Sequence, residues 1–302
     1  MSKNIYYKLV TFTVLLLLLF ITLYFYNRLS KTYFEWNNCN LLDQEKLINT
    51  YEKNGVIIIP NFFSSDDCNH LLNIVEKKEN NYDDSENYTI RSLYKRKNLA
   101  IPLSECKEYT DSITNKLKYF LKNLVPNAKI KECAVFITYP GCYPQGWHSD
   151  TYLDKVNTTE QQKYATLMSL GVALEDTDET LGPLEAILGT NNLNQDEFEN
   201  ILKKNNIFDN YNEFYYDKNC IYNDDDVKRG LCKSAMYELL KIDDKYKYVK
   251  CSCKKGSLII WSSRVFHRGG GNNGNKKRPI FYITLLGDNG KDPMHYNGPL
   301  EK

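Results

Sequence analysis

The chain has 302 residues, 42% hydrophobic and 25% charged, the proportions of a globular protein with material for one large domain or two small ones. Its 39 basic and 38 acidic residues leave a formal net charge of +1. That excludes the strong global field that draws proteins to nucleic acid, and no nucleic-acid partner is expected.

The first element is residues 9–27, LVTFTVLLLLLFITLYFYN, a run without a charge. At about 1.5 Å per residue it is long enough for a hydrocarbon core of roughly 30 Å. Tyr24 and Tyr26 sit where an aromatic belt lies, and Lys8 and Arg28 bracket the run. No small-residue cleavage site follows it, so it reads as a transmembrane signal anchor over residues 1–28 and not as a cleaved signal peptide. A tether over 29–40 and a catalytic domain over 41–302 complete the expected organisation. Lys3 and Lys8 favour a cytosolic N-terminus, hence a single-pass type II protein whose domain is lumenal or extracellular. Nine cysteines suit an oxidising compartment, and their odd number leaves at least one unpaired within the chain. The sequons Asn87-Tyr88-Thr89 and Asn157-Thr158-Thr159 agree with that side of a membrane.

Asp43 to Asn54 reads as a helix closed by Gly55, and Val56 to Pro60 as an apolar strand. Ser65 is a helix N-cap, after which Cys68, Leu71, Leu72 and Val75 form one buried stripe. Ile113, Leu117, Phe120, Leu121 and Leu124 predict a further amphipathic helix over 111–124, stopped by Pro126. From Ile130 the pattern changes. Segments 130–139, 166–174, 246–253, 257–261 and 279–286 are short and rich in β-branched, aromatic or apolar residues, with Gly and Pro turns between them. Residues 193–245 interrupt this series with a predicted helix, Asp196 to Lys203, and a long polar insert expected to cover the substrate entrance. Helices first and short strands later suggest a mainly β fold, a sandwich or jelly roll with flanking helices.

The chemistry centres on Gly146-Trp147-His148-Ser149-Asp150-Thr151. In extended chain, residues two apart share a face, so His148 and Asp150 can offer an imidazole nitrogen and a carboxylate oxygen to one metal. Two histidines and one carboxylate with open positions is the non-haem Fe(II) oxygenase arrangement. Of the four histidines, His70 lies on an amphipathic helix and His295 in a polar tail, and both read as ordinary surface residues. His267 ends a strand-like run before three glycines, where its imidazole can point into a barrel mouth. Arg278 follows eleven residues later at the start of the next strand. Its planar guanidinium suits bidentate pairing with a carboxylate. Tyr139, Gln145 and Trp147 are candidate cofactor-pocket residues. Cys251 and Cys253 read as core thiols or disulfide halves, because a zinc site needs further ligands at suitable spacing.

These motifs together resemble the phytanoyl-CoA dioxygenase family of Fe(II)/2-oxoglutarate-dependent oxygenases, over roughly residues 47–288. Tyr51 to Phe63 resembles the family's opening helix and strand, and Pro140 to Thr151 its metal-binding strand. Gly182-Pro183-Leu184 with Leu188-Gly189-Thr190-Asn191 resembles its Gly-Pro-Leu and Pro-Gly-Ser-His segment, and His267 to Arg278 keeps its final spacing. The resemblance implies a double-stranded β-helix, the cupin-like jelly roll. It implies iron held by His148, Asp150 and His267, the catalytic residues, and 2-oxoglutarate held at its distal carboxylate by Arg278. O2 is the further cosubstrate and ascorbate a candidate reductant. The chemistry implied is oxidative decarboxylation to succinate and CO2, coupled to hydroxylation of a substrate C–H bond. Asp150 argues against halogenation, since family halogenases lack the carboxylate. Leu188 and Asn191 depart from the usual Pro and His, which alters expected substrate contacts and no ligand.

Two other readings stand beside this one. A lumenal prolyl- or lysyl-type protein hydroxylase shares the architecture but commonly has Lys where this chain has Arg278. A non-catalytic jelly-roll binding module would not need all three ligands and the arginine. The substrate, whether small molecule, lipid or peptide, is left open.

Overall fold

The computed structural model describes residues 39–80, 95–150, 167–193 and 246–287, and residues 13, 17 and 197 singly. The expected anchor, both sequons, His295, the predicted helix at 196–203 and nearly all of the 193–245 insert lie outside the described residues. Among the described residues no helix is long and apolar enough to cross a membrane.

Helix α1 (Gln44–Asn54) begins at Asp43, whose carboxylate accepts from Lys46 N, and ends at Gly55 in the left-handed region with φ 74°. Gly55 N–H donates back to Tyr51 O, the closure that a glycine at this position allows. Strand β1 (Val56–Ile59) follows directly. Helix α2 (Ser65–Asn80) is capped one residue earlier than the sequence suggested. Ser64 Oγ accepts from Asp67 N, and Asp67 Oδ2 accepts from Ser64 N at 2.9 Å, a reciprocal capping box. The single helix expected over 111–124 is two: α3 (Leu103–Lys116) and α4 (Lys118–Leu124), divided at Leu117.

Strands β2 (Arg96–Ala100), β3 (Lys129–Thr138), β4 (Leu167–Ala173), β7 (Leu258–Ser262) and β9 (Arg278–Leu286) join β1 in a six-stranded antiparallel sheet of order β1-β7-β4-β9-β3-β2. Strands β5 (Leu184–Leu188), β6 (Lys247–Lys250) and β8 (His267–Gly269) form a smaller sheet, β6-β5-β8. Strands β1, β4 and β7 of the large sheet are buried on both faces, so they read as nearly continuous apolar runs, although successive side chains still turn to opposite faces. Ile57, Ile59, Val135, Ile137, Phe281 and Ile283 pack against the helices with Tyr51, Leu71, Ile113 and Phe120. Val56, Ile58, Ile259 and Ile280 face the small sheet and meet Leu184, Ala186, Leu188 and Val265. Each such side chain contributes about 1.5–3 kcal/mol by leaving water. The result is mainly β with helices on one outer face, a jelly-roll-like sandwich. The space between the sheets is where the chemistry-bearing side chains collect.

Candidate metal centre

Residues 142–150 run antiparallel along the free edge of β8. Cys142 pairs with Asn272, Gln145 N donates to Gly269 O at 2.9 Å, and Asp150 N donates to Ser263 O at 2.7 Å. His148 and His267 face each other in this ladder, exchanging backbone bonds of 3.0 and 2.8 Å. The pairing brings side chains 119 residues apart to neighbouring positions, with ring centroids 4.5 Å apart. Asp150, two residues past His148, turns its carboxylate to the same face. Asp150 Oδ1 lies 3.9 Å from His148 Nε2 and 3.7 Å from His267 Nε2. One ligand atom from each of the three lies within 4.8 Å of the others.

The imidazole tautomers follow from their partners. His148 Nδ1 is 2.8 Å from Gly146 O, and His267 Nδ1 is 2.9 Å from Val265 O. A carbonyl only accepts, so each Nδ1 must carry the proton and donate it. Each Nε2 is turned toward Asp150. Backbone-anchored imidazoles with a shared carboxylate fit a divalent cation, and nitrogen–oxygen donors of this kind suit Fe(II). The His267 side chain is 6% exposed, that of Asp150 14% and that of His148 22%, so the cluster opens on the His148 side.

Arg278 is paired with Thr138 across β9 and β3, on the face turned to the small sheet. Its Nε donates to Thr138 Oγ1 at 3.2 Å, the side chain is buried, and no carboxylate among the described residues pairs with it. Burial, then repulsion from Arg96, pushes the guanidinium down to about 10. Arg96 is a second buried cation, one strand further, paired with Thr138 from β2. Its Nη2 lies against the carbonyls of Tyr143, Gly270 and Gly269 at 2.5, 2.8 and 3.1 Å, whereas its buried Nη1 has no hydrogen-bond partner among the described residues. Gly269 makes room for it, because a Cβ there would sit 2.4 Å from Nη1. Among the described residues neither guanidinium pairs with a carboxylate, an arrangement suited to an anion.

The same inner face carries a polar wall. Tyr282 Oη lies 2.7 Å from Glu132 Oε1 and 3.1 Å from Asn98 Oδ1. Tyr282 pairs with Gly171 of β4, and the Trp261 ring lies over Gly171, where a Cβ would meet it at 3.1 Å. That indole is in turn 6.2 Å from the His267 ring, which places the wall across the space from the histidines.

Two of the pocket candidates from the sequence, Tyr139 and Trp147, face away from the space between the sheets, and Gln145 lies beside Arg96. Tyr139 follows Thr138 and therefore points to the helix side, where its hydroxyl donates to Glu79, itself bound by Lys277 Nζ at 2.8 Å. Trp147 precedes His148 and faces outward from the small sheet, 4.8 Å from the Arg268 guanidinium and 5.9 Å from Tyr248. Gln145 Oε1 accepts from Gly269 N at 2.7 Å and braces the ladder beside Arg96. Asn191 donates to Glu52 O at 2.9 Å, so it seals the end of α1. Cys251 and Cys253 are free thiols, Cys251 fully within the core between the sheets. The sequence reading missed Arg96, Thr138 and Asn98. Arg96 sits in a Lys-Arg-Lys run that looks like a solvated charged patch, and the alternation of Arg96 with Asn98 gains meaning only once β2 is paired.

An imidazole pair sharing a carboxylate, set between the sheets of a jelly-roll-like fold near an anion site, defines a class: the Fe(II)/2-oxoglutarate-dependent oxygenases. Family comparison narrows the class. The sequence matches the profile described as Phytanoyl-CoA dioxygenase (PhyH) over residues 51–280, and the chain belongs to that family. No curated protein matches it in sequence. Among solved structures, it is similar to the epimerase SnoN, solved in complex with Fe3+, alpha ketoglutarate and nogalamycin RO. The identity is 12% and the TM-score 0.53, covering 82% of this chain and 85% of that one. It is also similar to AviO1 from Streptomyces viridochromogenes Tue57, at 14% identity and TM-score 0.52, covering 84% and 99%. These likenesses show a shared fold. The protein is an oxidoreductase that uses iron and 2-oxoglutarate.

Proposed function

We propose that His148, Asp150 and His267 hold the ferrous ion, that Arg278 with Arg96 holds the keto acid, and that the enzyme hydroxylates a C–H bond of a polar substrate. The observation that carries the reading is the pairing of His148 with His267 on β8, which aims both Nε2 atoms at Asp150. When bound there, iron supplies the coupled chemistry in which 2-oxoglutarate, O2 and R–H give succinate, CO2 and R–OH. The chain's own contribution is positional. Gly146 O and Val265 O fix the imidazoles, and the buried arginines orient a carboxylate with charge-assisted hydrogen bonds. Retention of Asp150 favours hydroxylation over halide transfer. SnoN, whose structure holds Fe3+ and alpha ketoglutarate, supports the same cofactor set on a similar fold.

The wall formed by Glu132, Tyr282 and Asn98 favours a substrate with hydrogen-bonding groups over a bare acyl chain. Arg278, in place of the lysine common in protein hydroxylases, favours a small molecule over a peptide. We extend the proposal to a double-stranded β-helix domain over 41–302, tethered by 29–40 to an N-terminal anchor, with the domain lumenal or extracellular. The charge-free run at 9–27 and the cysteine content support that placement.

The test is succinate release by purified protein with Fe(II), 2-oxoglutarate and O2. Wild type turns over slowly alone, and faster with a cognate polar metabolite than with lipids or peptides. Asp150→Ala abolishes turnover while keeping the fold by circular dichroism. Unchanged succinate release in that variant would remove the ligand assignment.

A further inference from the structure

We propose that Cys106 and Cys133 form a structural disulfide that clamps α3 to β3. Their Sγ atoms lie 2.9 Å apart although the residues are 27 apart in sequence. Both side chains are fully within the helix-side core. A second observation falls on the same residue. Helix α3 departs from helical geometry at Cys106, with φ −130° and ψ 16°, so the backbone breaks where the side chain meets β3. The segment leading into α3 is already laced to the strand there, Ile101 N donating to Cys133 O at 3.0 Å. A disulfide sets its sulfurs at about 2.05 Å, so bonding needs an approach of under roughly 1 Å.

The thiolate is the nucleophile in thiol–disulfide exchange. With glutathione disulfide as oxidant, the Cys106 thiolate attacks one of its sulfurs and releases one glutathione thiolate. Cys133, its proton lost, then attacks Cys106 Sγ in the mixed disulfide and releases the second. The two protein thiols give up two electrons and two protons, and the oxidant becomes two glutathione thiols. Since both sulfurs are buried in the folded chain, the reaction belongs to folding, before α3 docks. The bond suits an oxidising compartment and would not persist in a reduced cytosol.

The test uses the full-length chain, folded in detergent with a glutathione and glutathione disulfide buffer. The product is denatured in alkylating reagent, digested without reduction and mapped by mass spectrometry. The peptides carrying Cys106 and Cys133 are expected as one linked species, lighter by two hydrogens than the two thiol peptides and separated by reductant. The oxidised chain is expected to melt roughly 10 °C above the Cys106→Ala/Cys133→Ala double variant. Recovery of both residues as alkylated thiols, or of either one linked to a different cysteine, overturns the proposal. If the double variant fails to fold, the peptide map of the wild type decides alone. The outcome is independent of whether the enzyme hydroxylates.

Discussion

Arg278 is the residue whose situation most needs a ligand. A buried guanidinium whose one side-chain hydrogen bond among the described residues is to Thr138 Oγ1 lowers the stability of the empty protein, and a bound carboxylate reverses that cost. Arg278→Met is therefore expected to weaken 2-oxoglutarate binding roughly 10- to 150-fold, the worth of about 1.5–3 kcal/mol in charge-assisted bonds. It should leave the melting temperature of the ligand-free chain unchanged or higher; calorimetry and thermal denaturation read the two effects separately. The sign with pH runs the same way. The folded value, about 10, lies below the ordinary arginine value of 12.5, so the penalty is fully present at lower pH and fades as pH rises through 10. The guanidinium contribution to keto-acid affinity is constant up to about pH 9 and declines above 10, as isothermal titration at a series of pH values can check.

At the scale of elements, the ladder between β8 and residues 142–150 sets the site, and Gly269 is its tightest point. A Cβ there would lie 2.4 Å from Arg96 Nη1 and 2.6 Å from Gln145 Oε1. Gly269→Ala is expected to displace both side chains, lower stability by about 1–3 kcal/mol and raise the KM for 2-oxoglutarate at least several-fold, measured by urea denaturation and succinate release. Much of the framework was legible beforehand. Gly55 marked the end of α1, and the apolar runs marked β3, β4, β7 and β9 within a residue or two. Three strands were not legible. In β2, Arg96-Lys97-Asn98 reads as a charged surface run until pairing with β3 buries its arginine. Strand β5 is five residues long with a buried glutamate at its second position, and β8 is three residues long. The shared face of His148 and Asp150 was readable because His-x-Asp spacing is local. The facing of Tyr139 and Trp147 was not, because a side chain's sheet face depends on register.

For the whole molecule, the same sheets serve two purposes. The helix-side core makes a rigid plate, and the inner face spends its positions on arginine, tyrosine and the glycine that admits Trp261. If residues 1–28 are an anchor, a chain starting at Cys39 should stay in the supernatant after high-salt washing of membranes and keep iron-dependent turnover, whereas the full chain sediments with them. Equal partitioning of both forms would contradict the anchor. The central claim is that two segments distant in sequence converge to hold one ion. The direct measurement is a crystal structure grown anaerobically with Fe(II) and 2-oxoglutarate, with anomalous data collected at the iron edge. A single anomalous peak bounded by His148 Nε2, an Asp150 carboxylate oxygen and His267 Nε2 is the predicted result. A peak at any other group of side chains, or His267 turned away from the metal, would contradict the account.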